Sequence, residues 1–247
     1  MSSTINPNNI LPRYYQLVNI LRTKIEAGDW QPQEAIPSER QLELVYGVSR
    51  TTVRQAVGLL IRQGLIYQLH GKGTFVSPRK LQKGLVELTS FSEDMLNRGL
   101  QPGQHILEMG EVEVTEKIRQ HLELSPDVKT VLRLERVRTG DGQPIGLQTS
   151  YLSLPKGASI TREELEERGS LYAILQEKFN INLATADETL EVTVANPREA
   201  LLLNVPEGSP LLLSERILWT NKRRAVEYVK ILYRGDKYRY AVRLTRQ

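Results

Sequence analysis

The sequence predicts an α+β protein with a small helical domain that ends in a hairpin, followed by a larger domain built on a mainly antiparallel sheet. The length of 247 residues suits two modest domains. Capped amphipathic helices crowd the first third of the chain. Alternating apolar segments joined by turn residues dominate the remainder, with short helices between them.

Composition excludes several classes of protein. Without cysteine the chain has no disulfides or thiol nucleophiles, and its three scattered histidines argue against a metal site. No apolar run could span a bilayer, and residues 1–11 lack a signal-peptide pattern, so we expect a cytoplasmic protein. The net charge of +4 is concentrated in the first 80 residues, which carry ten Lys and Arg against five Asp and Glu. This asymmetry is typical of a DNA-binding domain attached to a sensor.

Three helices are predicted in the first 64 residues. The first spans residues 12–28, with Pro12 at its start and Gly28 at its end. The second begins at the capping box of residues 38–41 and ends at Gly47, with Leu42 and Val45 on its apolar side. The third begins at the N-cap Ser49, and its apolar stripe comprises Val53, Ala56, Val57, Leu60 and Ile61.

The second and third helices form a predicted helix-turn-helix, and two short strands at 65–69 and 74–76 flank a glycine-rich turn that forms a wing. Arginine can read guanine, glutamine can read adenine, and hydroxyls or helix starts suit phosphate oxygens. In the alternative, these side chains only solvate an exposed face. The predicted DNA contacts are Arg40, Ser49, Arg50, Thr51, Thr52, Arg54, Gln55, Lys72 and Gly73.

Three runs in this domain resemble the GntR family of transcription regulators: PSERQL at 37–42, YGVSRTTVRQA at 46–56 and GKGTFV at 71–76. The second half resembles the UTRA effector domain of the HutC branch, so the resemblance covers almost the whole chain. It implies a chorismate-lyase-like fold for the second domain. The family wing often has arginine where this chain has Lys72, which predicts a weaker minor-groove contact.

We predict a winged helix-turn-helix domain at residues 1–77, a flexible basic linker at 78–88, and an effector-binding and dimerisation domain at 89–247. Capping signals start helices at Ser90, Thr161, Ser170 and Asn196. The predicted strands span 106–114, 131–139, 145–152, 190–194, 211–219, 225–233 and 238–244.

Two arginines suggest an anion site. Leu132, Leu134, Arg136 and Arg138 share one face of a strand, which places the two arginines about 7 Å apart beside apolar residues. Their forked donors suit phosphate. Equally, the arginines could pair with carboxylates across the sheet or lie at its solvated end.

Other polar residues in this domain carry the same ambiguity. The helix starts at Ser90 and Ser170 could hold phosphate oxygens or be ordinary caps. Glu227, on an apolar strand face, needs a ligand hydroxyl or an internal arginine. Tyr172 and Tyr233 could be pocket walls or core aromatics. The resemblance implies an effector pocket formed by Ser90, Phe91, Arg136, Arg138, Gln148, Ser170, Tyr172, Glu227 and Tyr233. Gln148 stands where the family often has an acidic residue, which removes an anionic partner for an amino sugar.

The sequence therefore predicts a homodimeric regulator, in the first instance a repressor, that binds a pseudo-palindromic site on double-stranded DNA. A small anionic metabolite, such as a sugar phosphate, would control binding, without a cofactor or a membrane partner. An enzyme is the alternative because the implied fold is that of a lyase, but no catalytic set or nucleotide-binding motif is present. An architectural DNA-binding protein would not need the second domain.

Overall fold

The computed structural model describes residues 5–6, 11–69, 71–77, 81–84 and 88–241. The chain divides into two compact units, which comprise residues 1–80 and 81–247. No helix among the described residues is long and apolar enough to cross a membrane.

The first unit contains three helices and an antiparallel strand pair. The elements are α1 (Arg13–Ala27), α2 (Glu39–Tyr46), α3 (Arg50–Arg62), β1 (Ile66–Leu69) and β2 (Gly73–Val76). Ser38 and Gln41 form the predicted capping box of α2, and Gly28 ends α1 with a φ of 85° that favours glycine. The core of this unit includes Leu17, Leu21, Leu42, Val53, Ala56, Leu60 and Ile66.

One core prediction in this unit is wrong. Val45 was expected beside Leu42 on the apolar side of α2, but Val45 is 70% exposed whereas Leu42 is 1% exposed. Helix α2 has only eight residues, and Leu42 is its one buried side chain. In so short a helix, helical spacing alone does not determine which apolar residue faces the core. His70 in the wing lies outside the described residues.

The second unit is built on an antiparallel six-stranded sheet, as predicted. Its strand order is β4-β5-β6-β9-β8-β7. Asp141 and Gly142 make the hairpin turn between β5 and β6. The strands are β4 (Pro102–Glu113), β5 (Thr130–Gly140), β6 (Gln143–Leu152), β7 (Leu183–Val194), β8 (Pro210–Thr220) and β9 (Ala225–Arg234).

Helices cover both faces of this sheet. Apolar side chains of α4 (Phe91–Leu96), α6 (Arg162–Arg168) and α7 (Leu171–Phe179) pack on the face that carries Leu134 and Val229. Helices α5 (Glu116–His121) and α8 (Pro197–Leu203) pack on the opposite face, against Tyr228 and Leu147 respectively. Helix α5 was not predicted, because its six residues bury a single apolar side chain, Ile118, and show no helical period.

A second, two-stranded sheet lies within this unit. Strand β3 (Leu81–Gly84) pairs in parallel with β10 (Tyr238–Ala241). Residues 81–84 were expected to be part of a flexible linker without strand structure, so this strand corrects the prediction. Its partner lies more than 150 residues away along the chain, and such pairing leaves no local sequence signal. Residues 242–244 of the predicted last strand lie outside the described residues.

Candidate DNA interface and anion pocket

The start of α3 is held by its N-cap and presents polar side chains to solvent. The Ser49 hydroxyl accepts a hydrogen bond from the Thr52 backbone N–H at 3.3 Å and lies 3.0 Å from the Thr52 hydroxyl. The inward stripe of α3 is buried in the core, which turns the other side of the helix outward. Thr52 is half-buried, while the exposed residues are Arg50, Thr51, Arg54 and Gln55.

The remaining predicted DNA contacts are also exposed. Arg40 lies on α2, and Lys72 and Gly73 lie at the tip of the wing. Gly71 and Gly73 adopt φ values of 70° and 125°, which strain any other L-residue, so the turn requires glycine at both positions. With no side chain at these two positions, the backbone of the wing is open to close approach by a duplex. The first unit thus presents an exposed basic helix start and wing, the two elements by which winged helices contact DNA.

Eight of the nine predicted effector residues line one pocket in the second unit. The pocket has about 390 Å³ of empty space, part of which is open to solvent, and its interior is narrow. It lies between the sheet and the first turns of α4 and α7. The eight residues are Ser90, Phe91, Arg136, Arg138, Gln148, Ser170, Tyr172 and Tyr233, and the ninth, Glu227, is fully buried in the same sheet face.

The two arginines converge on one neutral oxygen. Arg136 and Arg138 are 3% and 2% exposed, and the Nη1 atom of each donates to Oε1 of Gln104, at 2.7 and 2.9 Å. Arg138 also donates to the Ser92 hydroxyl at 3.2 Å, and its guanidinium lies 4.4 Å from the ring centre of Phe91. Among the described residues neither arginine has an ion pair with a carboxylate, and the Nε atom of each lacks a partner. The sequence left open that the two arginines pair with carboxylates or lie at a solvated end of the strand. The structure shows neither arrangement among the described residues.

Burial disfavours the charge on these arginines. It lowers the pKa of Arg136 to about 10, although the nearby Glu227 and Tyr172 oppose this change. Burial and the adjacent Arg136 cation lower the pKa of Arg138 well below its ordinary value. Arg136 remains cationic at neutral pH, so the protein holds this charge in a buried site at a cost in stability. An anion bound beside both arginines would remove much of that cost.

Open hydrogen-bond acceptors lie beside the arginines. Glu227 is 0% exposed, and the side chains of Ser150 and Tyr172 lie close to its carboxylate group. Burial raises its pKa more than the nearby Ser150 hydroxyl and Arg136 guanidinium lower it. Gln148 donates from Nε2 to Ser150 at 3.0 Å, while its buried Oε1 has no partner in the described part of the chain. These oxygens suit the O–H or N–H groups of a polar ligand.

The predicted helix caps at the pocket are present, and their serine hydroxyls already accept hydrogen bonds from the backbone of their own helices. The Ser90 hydroxyl accepts from the Glu93 N–H at 3.1 Å, and the Glu93 carboxylate accepts from the Ser90 N–H at 2.7 Å. Ser170 caps α7 by accepting from the Ala173 N–H. A ligand phosphate at the start of α4 would therefore have to exchange with the Glu93 side chain.

The sequence did not single out a third buried arginine in the pocket. Arg216 on β8 is 4% exposed and donates from Nη2 to both carboxylate oxygens of Glu188, at 2.9 and 3.1 Å. Although burial opposes it, Tyr172, Tyr233 and the Glu188 carboxylate raise the pKa of Arg216. Its signal was available, since an arginine that alternates with apolar residues on a strand is the pattern that identified Arg136. The other pocket residues that were not predicted are Ser92, Leu171, Val229 and Ile231.

Both units of the chain match known protein families. Residues 13–76 match the model of bacterial regulatory proteins of the gntR family, and residues 97–239 match the UTRA domain. The HTH-type transcriptional repressor NagR of Bacillus subtilis is 34% identical over 96% of both chains. The mannosyl-D-glycerate transport/metabolism system repressor MngR of Escherichia coli is 25% identical over 94% of this chain and 95% of its own. The crystal structure of PhnF from Mycobacterium smegmatis has a TM-score of 0.59 at 26% identity, covering 93% of this chain and 99% of that one.

These matches discard the enzyme alternative, because the family consists of regulators. They confirm the winged helix-turn-helix, the antiparallel second domain and the family to which the sequence was assigned. The chain belongs to the GntR family of DNA-binding transcription regulators, and its UTRA domain places it in the HutC branch.

Proposed function

We propose that this regulator is a repressor that binds a pseudo-palindromic operator as a homodimer and responds to a small phosphorylated metabolite, such as a sugar phosphate or amino-sugar phosphate. One observation carries the choice of an anion. Arg136 and Arg138 are almost fully buried, have no ion pair with a carboxylate among the described residues, and converge on the neutral oxygen of Gln104. A protein gains no stability from two such cations, so a ligand is the simplest reason for them.

A phosphate satisfies this arrangement better than a carboxylate does. It carries about −1.5 to −2 charges at neutral pH and three acceptor oxygens, and it can displace Gln104 as the shared acceptor of both guanidinium groups. The hydroxyls of Ser92 and Ser170 line the same pocket as further donors. Lysine in place of either arginine would keep the charge but lose the forked geometry.

The body of the ligand is proposed to be rich in hydroxyl groups. The buried Oε1 of Gln148 has no donor among the described residues, the Glu227 carboxyl group lies beside it, and the Tyr233 side chain lines the same wall of the pocket. A sugar supplies several donors at short spacing. The name of MngR refers to a sugar derivative, and both NagR and MngR are named as repressors. For an amino sugar, Glu227 is the candidate anionic partner, since Gln148 is neutral.

We propose that Ser90 connects the pocket to the DNA-binding domain. Phosphate binding would disturb the capping box of Ser90 and Glu93 at the start of α4, a few residues after the strand β3. Reordering of this segment would re-aim the two winged domains of a dimer and spoil their spacing on the operator. Effector binding can shift the equilibrium only by its difference in affinity between the two arrangements, typically about 1–3 kcal/mol.

Dimerisation is proposed because one winged domain covers too little DNA for tight specific binding. Light scattering at micromolar concentration on the full chain and on residues 81–247 tests this proposal. We expect both to be dimers. A monomeric second unit beside a dimeric full chain would put the dimer contact in the first unit, and a monomeric full chain would contradict the proposal.

The ligand proposal is tested by calorimetry with paired ligands, for example glucosamine 6-phosphate, N-acetylglucosamine 6-phosphate and glucose 6-phosphate, each beside its unphosphorylated sugar. We expect at least one phosphate ester to bind, no free sugar to bind, and Arg136→Gln to lose the binding. Arg133→Gln is the matched control, because Arg133 lies on the same strand but on the opposite face, paired with Glu108 and Glu135. Binding that does not depend on the phosphate group would contradict the proposal.

A further inference from the structure

The short parallel pair of β3 and β10 lies where the chain passes from the first unit into the second. Strand β3 directly follows the first unit, which ends at Lys80, and β10 is its only partner strand among the described residues. Isolated two-stranded sheets are marginally stable in water, and parallel pairs are weaker than antiparallel ones. The pair therefore depends on what anchors β10 to the rest of the second unit.

Tyr238 provides the first anchor of β10. Its side chain is 2% exposed, and its hydroxyl donates to the Asp94 carboxylate of α4 at 2.6 Å. Its ring stacks on Tyr233, with centroids 4.0 Å apart and planes at 6°. Arg98, which pairs with Asp94, lies over the same ring. The backbone of Tyr238 is meanwhile in register with Leu81.

Tyr240 provides the second anchor, at a different point of the sheet. Its hydroxyl donates to Oε1 of Glu188 at 2.7 Å. Glu188 is the carboxylate that holds Arg216, so one group joins a residue of β10 to a pocket arginine. The backbone of Tyr240 is in register with Lys83.

Both anchors end at the pocket. Tyr233 and Arg216 line it, and the first turn of α4 forms part of its wall. We propose that β10 relays the state of the pocket to the segment that leads to the DNA-binding domain, with Tyr238 and Tyr240 as its positioning residues. This relay rests on the proposed function in one respect, namely that the pocket binds an effector. It connects the pocket to the DNA-binding domain by a route that is separate from the Ser90 cap.

The physical basis is the contrast between strong anchors and a weak strand pair. The pocket is narrow, so a ligand that enters it must move wall side chains such as Tyr233 or Arg216. Movement of Tyr233 breaks the stack that holds Tyr238, and recruitment of Arg216 by an anion weakens its hold on Glu188. Either change loosens β10, and a four-residue parallel pair has little stability of its own with which to resist.

Amide hydrogen exchange on the full chain tests the relay without an effector. Tyr238→Phe and Tyr240→Phe each remove one hydroxyl bonded to a carboxylate, and we expect exchange of the 81–84 and 238–241 amides to quicken about tenfold or more. Arg216→Lys keeps the positive charge, but its shorter side chain withdraws the Nη2 donor that contacts both carboxylate oxygens of Glu188. It should quicken the same amides, although these contacts of Arg216 are to β7 and not to β3 or β10. Amides of β6 serve as the internal reference for global unfolding.

Tyr228→Phe is the matched control. It also removes a tyrosine hydroxyl bonded to a carboxylate, that of Glu215 at 3.0 Å, but on the opposite face of the sheet. We expect this variant to leave the 81–84 exchange rates unchanged. The relay is refuted if Arg216→Lys leaves these rates at the wild-type value, if Tyr228→Phe raises them as much as the β10 variants, or if no variant changes them. Because no arm contains a ligand, failure of sugar phosphates to bind would refute the proposed effector and leave this result standing.

Discussion

Replacing two buried arginines by glutamine, one at a time, separates residues kept for a ligand from residues kept for stability. Arg136 and Arg216 are both almost fully buried on the same sheet face. Arg216 donates to the Glu188 carboxylate, whereas Arg136 donates to the neutral Gln104 and has no ion pair with a carboxylate in the part of the chain that the structure describes. We therefore expect Arg216→Gln to lower the free energy of unfolding and Arg136→Gln not to lower it.

The magnitudes follow from the environment of each cation. Burial lowers the pKa of Arg136 from 12.5 to about 10, which at about 1.36 kcal/mol per pH unit is a cost of about 3 kcal/mol. Arg136→Gln removes that cost and loses one charge-assisted hydrogen bond, about 1.5–3 kcal/mol, so the variant should be as stable as wild type or up to about 1.5 kcal/mol more stable. Arg216→Gln strips Glu188 of its cation and should destabilise by about 3 kcal/mol or more.

Urea unfolding at pH 7 measures both effects. The chain has two tryptophans, Trp30 in the first unit and Trp219 in the second, so fluorescence in a Trp30→Phe background reports the second unit alone. All variants share that background, and the midpoint and slope give the free energy. A loss of about 3 kcal/mol or more in Arg136→Gln, equal to that in Arg216→Gln, would refute the reasoning and make Arg136 a structural residue.

Two further outcomes are expected. Arg54→Ala should weaken specific operator binding by about 1–3 kcal/mol with little effect on random duplex, if this exposed residue reads a guanine; affinities at several salt concentrations check this, and equal loss on both duplexes would make it a phosphate contact. Because the folded-state pKa of Glu227 is raised, its contribution to stability is present below the ordinary value of 4.5 and is lost as the pH rises through the folded pKa. Glu227→Gln should therefore have a higher Tm than wild type at pH 8 and nearly the same Tm at pH 4, and an equal gain at both values would contradict the assignment.

Local signals in the sequence predicted much of the fold. The caps at Ser38, Ser49, Ser90, Ser170 and Asn196 all accept the expected backbone hydrogen bonds. A cap involves residues only three positions apart, so a short stretch of sequence is enough to predict it. Strand alternation gave the antiparallel sheet and put Arg136 and Arg138 on one face, from which their convergence in the structure follows.

Local signals could not predict features that depend on residues far apart in the sequence. The alternation that placed Arg136 on the inner face could equally have placed Arg216, but only the strand order brings the two into one pocket. Glu188 reaches Arg216 through cross-strand register between β7 and β8, which the sequence does not state. Strand β3 exists because of β10, and the segment by itself has neither period nor apolar pattern. Val45 shows the converse, since an apolar residue at helical spacing can still face solvent.

The most direct measurement of the central claim is operator release by the wild-type chain and by the Arg136→Ala/Arg138→Ala variant. Fluorescence anisotropy on an operator obtained by in vitro selection would follow release while a phosphate ester that binds the wild type is added, with Arg133→Ala as the matched control. We predict that the double variant binds the operator within about twofold of wild type and does not release it, whereas the control releases it normally. Release from the double variant at the wild-type effector concentration would show that the two arginines are not the anion site and would contradict the account.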